Sequence, residues 1–141
     1  MPGSPRFAVA IHVLAVLAFI ERKGGERVSS SQIAMSVNTN PVVIRNLLKA
    51  LKDAGLIRVK EGRGGGIRLG RKPSQISLAE IHRAVAKDVP IFAQNERPIF
   101  TQCPVSRGMH QAFANVTADV EAAVSRALRG RTLDEVVGDI L

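Results

Sequence analysis

Val42, Arg45, Asn46 and Lys49 stand close together in the chain and are of the types that touch duplex DNA. Arginine offers two parallel donors to guanine, asparagine pairs bidentately with adenine, and a valine methyl can meet a thymine methyl. Lysine more often meets phosphate. Spacings of three and four place all four on one side of a helix. Ile44, Leu47 and Leu48 between them and Leu51 just beyond repeat at i, i+3, i+4 and i+7 and predict the opposite, core-facing side.

A second group of candidates follows. The run Glu61-Gly62-Arg63-Gly64-Gly65-Gly66 holds four glycines in six residues, so it is free to adopt positive φ and to approach another surface closely. Arg63 falls at its tip beside Gly64 and Gly65, and Lys60 and Arg68 flank it at positions suited to phosphate. Ser29, Thr39 and Asn40 precede or begin helices and complete the expected DNA-binding set. Nothing comparable supports catalysis. No nucleophile–base pair stands at a recognisable spacing, and the glycine run lacks the following Lys-Ser/Thr of a phosphate loop, so no catalytic residue is expected. His12, His82 and His110 are far apart and show no ligand spacing, so no metal site is expected either.

The elements that hold these residues are legible from their punctuation. Residues 5–23 predict a helix that is apolar on most sides (Phe7, Ile11, Leu14, Leu17, Ala18) and must be covered by others; Gly24 and Gly25 end it. Ser29 with Gln32 forms a capping-box pattern opening a short helix with Ile33, Ala34 and Val37. Asn38-Thr39-Asn40 reads as a turn. Asn40 then caps a helix with Pro41 at its first position, and Gly55 stops it. Leu56–Lys60 and Ile67–Gly70 predict the strands of a hairpin around the glycine run. Ser77 with Glu80 caps a helix to about Ala86, residues 87–102 predict a loop, and Pro104 opens a helix to about Arg129. Met109, Ala112, Phe113, Val116, Val120, Ala123, Val124, Ala127 and Leu128 form its stripe. Thr132 with Glu135 caps a last short helix.

This order predicts a mainly α fold with a small β-hairpin wing: a winged helix-turn-helix followed by a long C-terminal dimerisation helix. The expected division is 1–86 for DNA binding, 87–103 as a linker and 104–141 for dimerisation. A 26-residue helix is about 39 Å long, more than one small winged domain covers, so Met109, Phe113, Val116, Val120 and Val124 are expected to meet a second copy.

Charge follows the same division. The net charge is +8; residues 1–72 hold 13 Lys/Arg against 4 Asp/Glu, and residues 73–141 hold 7 against 8. The whole basic excess lies in the first half, a field that attracts polyanions. Five Phe with no Trp or Tyr offer few stacking platforms, which argues against single-stranded nucleic acid. The apolar stretch Phe7–Ile20 is interrupted by His12 and too short to span a bilayer, so no membrane partner is expected.

The chain resembles the Rrf2 family of bacterial regulators, and within it the YwnA-like branch. The resemblance is carried by Ile33-Ala34, by Asn38-Thr39-Asn40-Pro41-Val42-Val43-Ile44-Arg45, by Ala54-Gly55-Leu56-Ile57, by the Gly64-Gly65-Gly66 wing and by Cys103-Pro104-Val105, and it covers nearly the whole chain. It implies a bacterial homodimer, joined through the long helix and bound to a pseudo-palindromic operator on double-stranded DNA; the single cysteine, which excludes an intrachain disulfide, and the absence of a secretory-signal pattern separately lead to the expectation of a cytoplasmic protein. Two departures stand out. Family members that sense through an iron–sulphur cluster usually carry three cysteines before the long helix; this chain keeps only Cys103. A protein-held cluster needs three or four thiolates, or two with two histidines, so no cluster or other cofactor is expected, even with His82 or His110 nearby. Family wings often place an arginine just before the first loop glycine. Here Glu61 stands there and would repel phosphate, with Arg63 as the substitute.

The function expected is that of a sequence-specific transcriptional regulator, acting as a repressor and reading the major groove with the helix at 40–54. The alternative is a regulatory protein-interaction module of the same fold with little DNA affinity. Cys103 also has two readings. Just before Pro104 it sits at a helix N-terminus, which favours thiolate, with Arg107 one turn on, as a redox sensor requires. It is also a small apolar residue suited to linker packing, and this is the preferred reading. The effector is not identified by the residues.

Overall fold

The computed structural model describes residues 4–86 and 88–141. Residues 1–3 and 87, which the expected boundaries of the first unit and the linker include, lie outside the described residues. Among those described, the order is α1 (Arg6–Arg22), α2 (Ser30–Val37), α3 (Pro41–Asp53), β1 (Ile57–Lys60), β2 (Gly66–Leu69), a 3-10 turn at Pro73–Gln75, α4 (Leu78–Ala86), α5 (Pro104–Arg129) and α6 (Leu133–Ile140). This is the mainly helical winged fold that the sequence predicts.

Each helix start follows from its cap. Ser29 Oγ accepts from the Gln32 N–H at 3.1 Å while Gln32 Oε1 accepts from the Ser29 N–H at 2.9 Å, a reciprocal box that opens α2. Asn38 closes α2 in the left-handed conformation, φ 55°. Asn40 Oδ1 accepts from the Val42 N–H at 2.8 Å, with Pro41 at the first helical position of α3. The Ser77–Glu80 box opens α4, and Thr132 caps α6 by accepting from the Glu135 N–H.

α1 is the central helix. Ala10, Val13, Leu14, Leu17 and Ala18 are buried, and α2, α3, α4, α6 and β2 all pack on it. α3 contributes Ile44, Leu47 and Leu51, with Leu48 half-buried. Each fully buried leucine contributes about 1.5–3 kcal/mol through the apolar surface it removes from water.

The hairpin pairs Ile57 with Leu69, Arg58 with Arg68, Val59 with Ile67 and Lys60 with Gly66. Both strands lie one residue earlier or later than their patterns predict. β1 starts at Ile57 because the Leu56 N–H is still bonded to Leu51 O at the end of α3; β2 starts at Gly66 because that glycine already pairs with Lys60. Val28 adds a further bridge on the other edge of β2, exchanging both backbone bonds with Ile67 at 2.9 and 2.8 Å.

α6 returns to the core. Leu133 and Val137 are buried beside α1, and a bridge between Ser77 and Thr132 joins the starts of α4 and α6. The last helix, grouped with the long helix by sequence, therefore packs against the first unit. α5 behaves differently: none of its 26 residues is buried. Its C-terminal end leans on α4, where Val124 and Leu128 are half-buried, whereas Met109 and Val116 are each 54% exposed.

Candidate nucleic-acid interface

The outer side of α3 is built as its spacing requires. Val42, Arg45, Asn46 and Lys49 are all exposed, opposite the buried Ile44, Leu47 and Leu51. The wing stands beside this face. Between them runs a groove of about 620 Å³, lined by Ser29, Ser30, Arg45, Lys49 and Lys52 on one side and by Val59, Lys60, Glu61, Gly62 and Gly65 on the other. The structure thus brings Ser29, Arg45, Lys49, Lys60 and Gly65 together. Val42, Asn46, Arg63, Gly64 and Arg68 are exposed outside the groove lining, and Thr39 is half-buried in the turn before α3.

Two of the predicted contacts already have structural duties. The Ser29 hydroxyl and the Asn40 Oδ1 are engaged in the caps described above, which leaves the Asn40 amide nitrogen as its outward donor. Lys49 Nζ lies 3.5 Å from Asp53 Oδ2, an exposed i, i+4 pair that is cheap to exchange for phosphate. Lys52 lines the groove although the sequence reading passed over it; its spacing of three from Lys49 was the available signal.

The wing tip is a tightly folded turn. Gly62 and Gly64 have φ of 82° and 73°, and a Cβ on Gly65 would stand 2.2 Å from Lys60 O. Such a tip presents backbone rather than bulk to whatever it approaches. The wing's base is anchored from α4. Arg71, just past β2, donates to Gln75 O at 3.3 Å and pairs with Glu80 Oε1 at 3.0 Å. Partial burial raises the Glu80 carboxyl pKa, but the Ser77 N–H and the Arg71 guanidinium more than offset this, so it lies below the usual glutamate value.

The remaining candidates stand apart from this surface. Cys103 is the N-cap of α5 and half-exposed, without a side-chain capping bond. Arg107, one turn on, donates to Thr101 O at 2.7 Å. His12 Nε2 lies 3.1 Å from Ser36 Oγ, and His82 meets Phe7 edge-on with ring centroids 5.0 Å apart.

An exposed, capped α3 beside a glycine wing, on a chain whose basic charge lies in that half, defines a DNA-binding winged helix-turn-helix transcriptional regulator. A model of the Rrf2 family, described as iron-dependent transcriptional regulators, matches residues 4–139, and the chain belongs to that family. YwnA of Bacillus subtilis (strain 168), named as a helix-turn-helix transcriptional regulator, is 36% identical over 135 residues, 96% of each chain. A crystal structure assigned to a DNA-binding protein superposes with a TM-score of 0.70 at 34% identity, over 93% of this chain and 97% of that one. A transcriptional regulator from Lactobacillus plantarum shares the fold, with a TM-score of 0.79 at 20% identity over 96% and 89%. IscR of Cereibacter sphaeroides and NsrR of Bacillus subtilis (strain 168), 31% and 33% identical over 63% and 55% of this chain, are also named as helix-turn-helix transcriptional regulators.

The family's iron finds no fitting donors here. The chain has one cysteine, and among the described residues no group of three or more His, Cys, Asp or Glu could hold a metal ion. No helix among the described residues is long and apolar enough to cross a membrane.

Proposed function

We propose that the protein is a homodimeric, sequence-specific repressor that reads the major groove with α3. The observation that carries this reading is the outward set Val42, Arg45, Asn46 and Lys49, exposed on a helix whose other side is locked into the core. Arg45 and Asn46 contact base edges, Val42 meets a thymine methyl, and Lys49, Lys52, Lys60 and Arg68 hold phosphates. Thr39, Ser29 and the Asn40 amide fix the two helix starts against the backbone. Arg63, Gly64 and Gly65 approach the neighbouring groove as the weaker contact, because Glu61 adjoins them. Repression follows from occupancy of an operator.

Dimerisation is supported by α5, which displays Met109, Phe113, Val116, Val120 and Val124 along a helix with no buried residue. A two-fold pair of such helices presents two copies of α3 to two half-sites. The division into a reading unit, a linker and a dimerisation helix belongs to the same proposal.

Arg45→Ala and Lys49→Ala test it on duplexes that the protein itself selects from a random-sequence library. Arg45→Ala is expected to cost about 1–3 kcal/mol on the selected sequence and to relax its base preference. Lys49→Ala is expected to weaken selected and random duplexes alike and to lower the salt slope by about one. Equal losses on both duplexes for both variants would refute the assigned roles.

A further inference from the structure

The strand register creates a basic surface that α3 does not use. Arg58 stands directly across from Arg68, and both are exposed. Lys60, two residues nearer the tip, shares their side of the sheet because successive side chains alternate. The Val28 bridge brings in a fourth cation. Val28 and Ile67 are paired and buried on the inner side, so Arg27 lies on the outer one, where its guanidinium donates to Gly66 O at 3.4 Å. Arg27, Arg68, Arg58 and Lys60 thus spread over three adjacent chain segments, about 4.8 Å apart.

None of these four takes part in the ion pairs found among the described residues. The acids nearest in sequence, Glu26 and Glu61, pair with none of them. Like charges directly opposite in a sheet destabilise it. The fold gains nothing from setting Arg58 against Arg68, and an anion supplied from outside would relieve the repulsion.

We infer that this outer side of the wing sheet binds the phosphate backbone of duplex DNA flanking the half-site, adding Arg27 and Arg58 to the contacts. The inference rests on α3 seating in the major groove. Val59 and Ile67 point inward toward α3, so Arg27, Arg58 and Arg68 point the other way, past the wing tip, with Lys60 at the rim where the α3 groove meets that side. A duplex held by α3 and crossed by the tip continues onto that side. The four residues contact backbone, so they add affinity and footprint without base preference.

The test uses wild-type, Arg27→Gln, Arg58→Gln and the double variant, with duplexes selected by the wild-type protein from a random-sequence library. Each duplex is prepared in two lengths: ending at the selected half-sites, and extended by about ten base pairs, one helical turn, at each end. The wild-type protein is expected to bind the longer duplex about ten-fold tighter, and the double variant to lose that gain. Each arginine removed should shrink the change in affinity between 50 and 200 mM salt by about three-fold. Base preference should stay as in the wild type. The thermal midpoint of Arg58→Gln should equal or exceed the wild-type value, because a cross-strand repulsion is gone. Variants that match the wild type on both lengths would overturn the inference, as they would if this surface served an acidic protein. A shifted base preference would also overturn it. If the wild-type protein selects no duplex at all, the reading of α3 fails first and takes the inference with it.

Discussion

α3 and α5 are both amphipathic, yet their apolar sides have opposite fates. α3 has 13 residues and buries Ile44, Leu47 and Leu51; α5 has twice the length and buries none. One helix is completed by its own chain and presents a polar side outward. The other leaves its apolar side outward. On the proposed roles, the surface that reads DNA gains a rigid backing that holds its side chains at fixed spacing, and the surface that assembles is left free for its counterpart.

The largest effect expected of breaking this contrast comes from α5. Val116→Glu places a charge on a residue that its own chain leaves 54% exposed. Sedimentation should show the mass of one chain where the wild type shows two. Affinity for a two-half-site duplex should fall by about 10²-fold or more, because two linked binding events become separate, while thermal stability of the monomer is retained. A variant that remains dimeric would move the seam elsewhere.

Leu47→Ala is the converse. Leu47 is fully buried, and its truncation should cost about 2–5 kcal/mol in urea unfolding. With dimer mass unchanged at low denaturant, the result would assign stability to α3 and assembly to α5. Loss of both together would mean that the two helices fold as a single unit.

The smallest effect lies at the junction between the wing and α4. Ser77→Ala removes the cap of α4 and should cost about 0.5–2 kcal/mol. Glu80→Gln carries a pH signature. The folded carboxyl lies below its ordinary value, so its stabilisation is present above the unfolded pKa of about 4.3 and is lost as pH falls through the folded one. The stability gap between wild type and Glu80→Gln should be flat above about pH 5 and close in acid. A gap independent of pH down to 3 would show that packing, not ionisation, carries the contribution.

Local chemistry made most of the helical and wing elements legible. Ser29–Gln32, Asn40-Pro41 and Ser77–Glu80 mark helix starts within a few residues, and the leucines of α3 fix which side faces out. Pairings distant in sequence left no such trace. Nothing near Val28 indicates that it bridges Ile67, so Arg27 carried no sign of belonging to the wing. Leu133 and Val137 in an eight-residue helix give too short a pattern to name a partner, and their burial against α1 emerges only from the fold. The glycine run announced a turn, but its tightness depends on Lys60 O approaching Gly65, a contact without a sequence signature.

The bridge between Ser77 and Thr132 has a mechanical consequence. It fastens the chain just past the C-terminal end of α5 to the body that carries α3, while the other end of the helix, about 39 Å away, is held among the described residues by hydrogen bonds with the surface loop before it. The helix is therefore a lever with one welded end. A tilt of about 10° at the weld would carry its far end through roughly 7 Å at that length. In a dimer joined through α5, such a tilt would reset the distance between the two reading helices, and with it the operator spacing the pair can span.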